Sequence, residues 1–180
     1  MYCMEDNKRI FVDENETCQI DFSSAVWATD KLHQIFSILD DGILNDVDFV
    51  VETEKELIFI EYKNAVHKKV NNPEAFKPLS EKNKRRIPKK YYDSLNFIQS
   101  TGRGVGKNKV YICIFEANLS DSITSDFIRN GLMNRLPFKI TEQAGLFEIY
   151  LKENMIDDFY VLNIVQWNER YKQFPAKVLE

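Results

Sequence analysis

The chain has 180 residues, 44% of them apolar and 29% charged, with a net charge of −4. That length suits one domain with a core that needs no staples, and the balance excludes a disordered chain and, taken as a whole, a generally basic nucleic-acid binder. No apolar run approaches the roughly 18 residues of a membrane span, and the opening MYCMEDNKRI lacks the continuous apolar stretch of a secretory signal, so a cytoplasmic protein without a membrane partner is expected. Cys3, Cys18 and Cys113 have no CxxC spacing, and with only His33 and His67 beside them they make no zinc site. Reduced thiols packed as small apolar groups are expected instead.

In chain order, RIFV and CQIDF around the polar turn DENET predict a hairpin over 8–22. Ser23 and Ser24 can cap a helix to about Leu39, with Ala28, Leu32, Ile35, Phe36 and Leu39 on one face, stopped by the turn DDG at 40–42. Strands follow at 47–52 and 57–63. Residues 66–87 are polar and basic with two prolines and read as a long excursion, then a helix is expected over 88–100 with Tyr91, Leu95 and Ile98 buried. VYICIFEA, 110–117, is the continuous apolar run of a central strand. A helix over 120–136, strands over 137–142 and 145–153, and a strand to Ile164 followed by a short helix closed by Pro175 complete the prediction. The sum is a single α/β domain with a central mixed sheet flanked by helices.

The hairpin DVDFVVETEKELIFIEYKNA, 46–65, carries Asp48, Glu61 and Lys63 inside apolar strands. Buried charges need partners or a metal, because desolvating them is costly. With TEKE as the connection, 52 pairs with 57, 50 with 59 and 48 with 61. One face is then Val47, Phe49, Val51, Ile58, Ile60 and Tyr62, and the other is Asp46, Asp48, Val50, Glu52, Leu57, Phe59, Glu61 and Lys63. A one-residue slip would scatter charge into the apolar face, so the pattern selects this register. Asp48 and Glu61 would face each other with Cβ atoms about 4.5–5.5 Å apart, repelling unless a cation sits between them. Lys63 offers one charge, and a hard divalent ion with oxygen ligands would offer more.

Charge is also unevenly spread. Residues 63–90 hold ten basic residues against Glu74 and Glu81, a local +8 that leaves −12 for the rest. Such a band can meet a polyanion even on an acidic protein, although a solvated loop explains the charge as well.

An Asp at the start of one strand, followed by an apolar strand ending in Glu-x-Lys, resembles the PD-(D/E)xK nuclease superfamily. Of the two acid-x-Lys sequences, Asp6-Asn-Lys8 and Glu61-Tyr-Lys63, only the second ends an apolar strand opposite an Asp. The similarity spans about residues 24–117, where the expected elements run close to the family's α-β-β-β-α-β order, the restriction-endonuclease-like core. The motif's proline is absent, Val47 standing before Asp48, and Gln99 is followed four residues later by Arg103 rather than the Tyr of some exonuclease branches.

The resemblance implies a nuclease using Mg²⁺ or Mn²⁺, held by Asp48, Glu61 and the backbone carbonyl of Tyr62. Asp30 is the candidate for a further acid from the first helix, although on the helical wheel it lies nearly opposite the apolar stripe, on the side that faces solvent. Lys63 would orient or deprotonate the attacking water, and cleavage would leave a 5′-phosphate. Asp46 and Glu52 have at most a supporting role. Lys82, Lys84, Arg85, Arg86, Lys89 and Lys90 are the expected grip on nucleic acid, DNA ahead of RNA, and a homodimer is compatible with this reading. A nuclease-like domain that does not cut and serves as a nucleic-acid-binding or regulatory module is the alternative, and a charged exposed sheet edge a third. TGRGVGKNK, 101–109, departs from GxxxxGK[ST] and follows a predicted helix, so it is no phosphate-binding loop but a flexible connection.

Overall fold

The structure, a computed structural model, describes residues 9–39, 42–70, 72, 76–118 and 124–180. Cys3, the Asp6–Lys8 sequence, Glu74, most of the DDG turn and the first residues of the helix expected from 120 lie outside them.

The N-terminal hairpin forms as β1 (Ile10–Val12) and β2 (Cys18–Asp21). Its turn is organised by Asp13, whose carboxylate accepts from the Thr17 N–H at 2.6 Å and from the N–H groups of Asn15 and Cys18. The expected helix from Ser24 to Leu39 does not form as one element. Residues 27–29 are instead β3 (Trp27–Thr29), and only α1 (Leu32–Phe36) is helical. The reason lies in the next strand, β4 (Phe49–Glu52), which would otherwise present an unpaired edge. Val26 N donates to the Glu52 carbonyl at 2.9 Å, and Trp27, Ala28 and Thr29 pair with Glu52, Val51 and Val50. Satisfying that edge outweighs the helical stripe, of which Leu32 and Phe36 alone are buried with the sheet's helix-facing core.

β4 pairs antiparallel with β5 (Glu56–Asn64) in the expected register, Glu52↔Leu57 through Phe49↔Ile60. Thr53 closes the turn, donating its N–H to the Glu56 carbonyl at 2.8 Å and accepting from Glu56 N on its hydroxyl. The excursion then ends sooner than expected. α2 (Glu81–Ser100) starts seven residues before Pro88, because Ser80 caps it by accepting from Asn83 N, and Ile87 and Pro88 both pack inward. Most of the basic band is therefore helical. Three glycines with positive φ, Gly102, Gly104 and Gly106, shape the loop to β6 (Asn108–Glu116). At Gly104 a Cβ would run into the Leu57 side chain, so close approach as well as φ demands glycine.

After β6 come α3 (Ser125–Met133), capped by Thr124, a 3-10 turn at Pro137–Lys139 and α4 (Ile140–Gly145). The strand expected over 137–142 is thus helical, with Pro137 at a helix start where its missing N–H costs nothing. The strand expected over 145–153 does not form either. Glu148 takes a left-handed φ of 59° that interrupts an extended run, and Leu146, Phe147, Ile149 and Tyr150 are exposed. β7 (Asp158–Leu162), α5 (Ile164–Arg170) with its Asn163–Gln166 capping box, and β8 (Ala176–Val178) finish the chain.

Two sheets result. A three-stranded antiparallel sheet has the order β1-β2-β8, and a five-stranded mixed sheet the order β3-β4-β5-β6-β7, antiparallel through β5 and parallel from β5 to β7. Both faces of the second sheet are covered. Val50, Leu57, Phe59, Tyr111 and Cys113 meet Tyr91, Leu95 and Ile98 of α2, with α3 beyond. Phe49, Val51, Ile58, Ile60, Tyr62 and Ile112 meet the small sheet and Trp167 of α5. Val47, expected with the second group, joins the first, since it precedes the strand. Cys18 and Cys113 are buried free thiols. Among the described residues no helix is long and apolar enough to cross a membrane.

Candidate active site

β5 alternates strictly. Ile58, Ile60 and Tyr62 go to one core, and Leu57 and Phe59 to the other, so Glu61 and Lys63 continue the row that faces α2. Asp48 stands one step beyond the last ladder pair, Phe49↔Ile60, and that register sets it opposite Glu61. Its Oδ2 accepts from the Tyr62 N–H at 2.6 Å, where a longer β4 would have offered a carbonyl. In a strand the N–H and C=O of one residue point to the same edge, so the Tyr62 carbonyl is directed to Asp48's side as well.

Glu61 is 8% exposed and held by a lysine, but that lysine is Lys90. Its Nζ lies 2.8 and 2.7 Å from the two carboxylate oxygens of Glu61. Burial and then the Glu61 charge push the Asp48 carboxyl up, to about 8, against the pull of Lys90. Burial also raises Glu61, with Lys90 opposing. Burial works against the Lys90 ammonium, yet Glu61 and Asp48 outweigh it and keep it charged. With both carboxyls ionised the single Lys90 ammonium would leave the site one positive charge short, and the raised Asp48 carboxyl reflects that shortage.

These groups floor a cleft of about 470 Å³. Lys63 lies on one wall, exposed, and it makes no ion pair or hydrogen bond among the described residues. Its charge is nonetheless felt by Glu61, whose pKa it lowers. Lys82, Arg86 and Lys90 of α2 also line the cleft, as does the turn Asp13–Asn15 of the small sheet.

The other expected site residues lie elsewhere. Lys84 pairs with Glu81 at 3.2 Å, Lys89 bonds Asp93 and the Ile43 carbonyl, and Arg85 is exposed outside the cleft. Asp30 follows β3 rather than sitting on a helix; its carboxylate is 3.0 Å from Lys31 and does not line the cleft. Asp46 meets His33 at 3.3 Å. Glu52 anchors the glycine loop at the far end of β4, accepting from Arg103 at 2.9 Å and lying 3.0 Å from Lys107, so that loop is tied down where a flexible connection was expected.

Among the described residues no three acidic, histidine or cysteine side chains gather as a metal cluster. Asp48, Glu61 and the Tyr62 carbonyl nonetheless form a set of hard oxygen donors, and Asp48 Oδ1 accepts no hydrogen bond among the described residues. Such a set fits Mg²⁺, which keeps several waters and takes only one or two carboxylates. Lys90 was grouped in sequence with the phosphate grip. It lies three residues after Ile87 and four before Ser94, both buried, which sets it beside the inward face of α2. No family model, no curated protein and no solved structure matches this chain.

Proposed function

We propose that the protein is a cytoplasmic metal-dependent nuclease that hydrolyses phosphodiester bonds of nucleic acid, DNA ahead of RNA, with PD-(D/E)xK chemistry. The observation that carries this reading is the meeting of Asp48, Glu61 and Lys63 at one end of a mixed sheet, in a cleft walled by a basic helix. Asp48, Glu61 and the Tyr62 carbonyl are the residues that would hold Mg²⁺ or Mn²⁺. The ion, when bound, supplies a water of lowered pKa and neutralises charge growing on the phosphate.

The chain's own groups do the rest. Lys63, exposed at the cleft and without an ion pair among the described residues, orients the attacking water and offsets charge on the phosphate oxygens. Lys82 and Arg86, which line the cleft from α2, bind backbone phosphates, and Arg85 extends the same helix surface outward. Restriction-endonuclease-like describes the arrangement of α1, β4, β5, α2 and β6 on this reading. A homodimer would offer two such clefts to a duplex.

One observation favours a second reading, a module that binds nucleic acid without cutting it. Both Glu61 oxygens are engaged by Lys90. Labelled duplex DNA, single-stranded DNA and RNA incubated with Mg²⁺ or Mn²⁺ separate the two. The nuclease cleaves at least one of them, and not in EDTA. The module retards nucleic acid on a gel in a salt-sensitive way and leaves it intact.

A further inference from the structure

The Glu61–Lys90 ion pair has no part in the chemistry just described. Its geometry is that of a built contact. Both Glu61 oxygens lie within 2.8 Å of Lys90 Nζ, and the two side chains are only 10% and 12% exposed. The lysine cannot drift with its helix. Its neighbour Tyr91 packs edge-on against Phe59 at 5.1 Å, lies 5.0 Å from Tyr111, and donates its hydroxyl to the Met155 carbonyl at 2.6 Å. By contrast Arg86, one turn earlier and on the same wall, is exposed and pairs with nothing among the described residues.

We propose that Lys90 is a positioning residue that occupies, in the cation-free protein, the place on Glu61 that a divalent cation takes over, and thereby sets how tightly the cation is held. This inference rests on the reading of Asp48 and Glu61 as a cation site. A buried carboxylate without a counter-charge is costly, and Lys90 supplies that counter-charge and fixes Glu61 in the cleft while no ion is present. An incoming divalent ion needs at least one of the same two oxygens and meets a like charge on arrival. Lys90 therefore competes with the ion directly and opposes it electrostatically. Holding Glu61 in place favours the ion as well, but a unit charge facing a divalent one a few ångströms away is the stronger effect. The released ammonium stays in the cleft, where it adds to the positive charge facing a phosphate.

Mn²⁺ titration of the full chain, with free ion read by electron paramagnetic resonance, tests this without reference to cleavage. Lys90→Met is expected to bind Mn²⁺ at least about tenfold more tightly than the wild type. Lys90→Arg keeps the charge and grips the carboxylate with two donors, so it is expected to bind no more tightly than the wild type. A Lys90→Met protein with wild-type circular dichroism and equal or weaker Mn²⁺ binding overturns the proposal. If Lys90→Met does not fold, Lys90→Gln takes its place, and tighter binding by Lys90→Arg overturns the proposal by itself. Absence of Mn²⁺ binding in the wild type and every variant at millimolar ion overturns the cation-site reading and this proposal with it. That outcome is distinct from binding that is indifferent to Lys90.

Discussion

Asp48 is buried beside Glu61 with one backbone N–H as its hydrogen-bond donor among the described residues, so folding must either protonate it or hold its charge next to Glu61, and both cost stability. Burial and the Glu61 charge, the two largest of the causes that push its carboxyl up, both follow from the hairpin register, and Asp46 adds to them. Replacing it by Asn keeps an oxygen for the Tyr62 N–H and removes the group that must be protonated or left charged on burial. In chelator at neutral pH, Asp48→Asn is expected to raise stability by about 1 kcal/mol, or Tm by about 2–4 °C for a chain of this size. In saturating Mg²⁺ the order reverses, because only the wild type gains stability from a bound ion. A thermal melt with and without metal reads both effects. An Asn variant less stable than the wild type in chelator would show that the pair is not strained.

Among the elements, β4 joins two separate functions at its ends. Asp48 precedes it at the cleft, and Glu52 closes it at the glycine loop. Burial would raise the Glu52 carboxyl, but Lys107, Arg103 and the Gly104 N–H outweigh burial and hold it below the ordinary range. A group whose folded pKa is depressed stabilises above its unfolded value, and that contribution is lost as pH falls through the folded one. Glu52→Gln is therefore expected to cost about 1–3 kcal/mol at pH 7, with the deficit against wild type shrinking in acid below the carboxylate range. Urea melts at neutral and acidic pH check it; a deficit that does not change with pH would sink this account of the loop. The same strand explains what the sequence hid. Register and faces were legible from Phe49 to Lys63 because the alternation there admits one pairing, while Val47, ahead of the strand, escapes it. The helix expected over 24–39 failed because a pattern read along the chain does not show that β4 needs an edge partner. The strand expected over 145–153 failed at Glu148, a backbone conformation that alternation does not encode.

For the whole molecule, the sheet divides two cores, and the acid pair lies where the core beneath α2 opens to solvent. Net charge suggested an acidic protein, whereas the fold gathers Lys82, Arg85 and Arg86 onto the exposed start of one helix. If this surface tracks a nucleic-acid backbone, affinity falls steeply with salt. Replacing the three by Ala should flatten the slope of log K against log salt by about 2–3, close to one unit per lost phosphate contact. An unchanged slope in a gel or anisotropy titration would place the nucleic acid elsewhere. Asp48, Glu61 and Lys63 were legible as a group because two strands and a turn hold them together. Lys90 was not singled out, because its partnership depends on how α2 lies over the sheet, which is a property of packing rather than of any local stretch.

The most direct measurement is cleavage of labelled duplex DNA, single-stranded DNA and RNA in Mg²⁺ by the wild type, Lys63→Ala and Asp48→Asn, each beside an EDTA control. Metal-dependent cleavage by the wild type is predicted for at least one substrate. A loss of about 10²–10⁴-fold is expected on removing Lys63, and cleavage should be absent without Asp48. Cleavage that survives EDTA or is undiminished in Lys63→Ala, or a wild-type protein that cuts none of the three, would contradict the assignment of this cleft as a metal-dependent nuclease site.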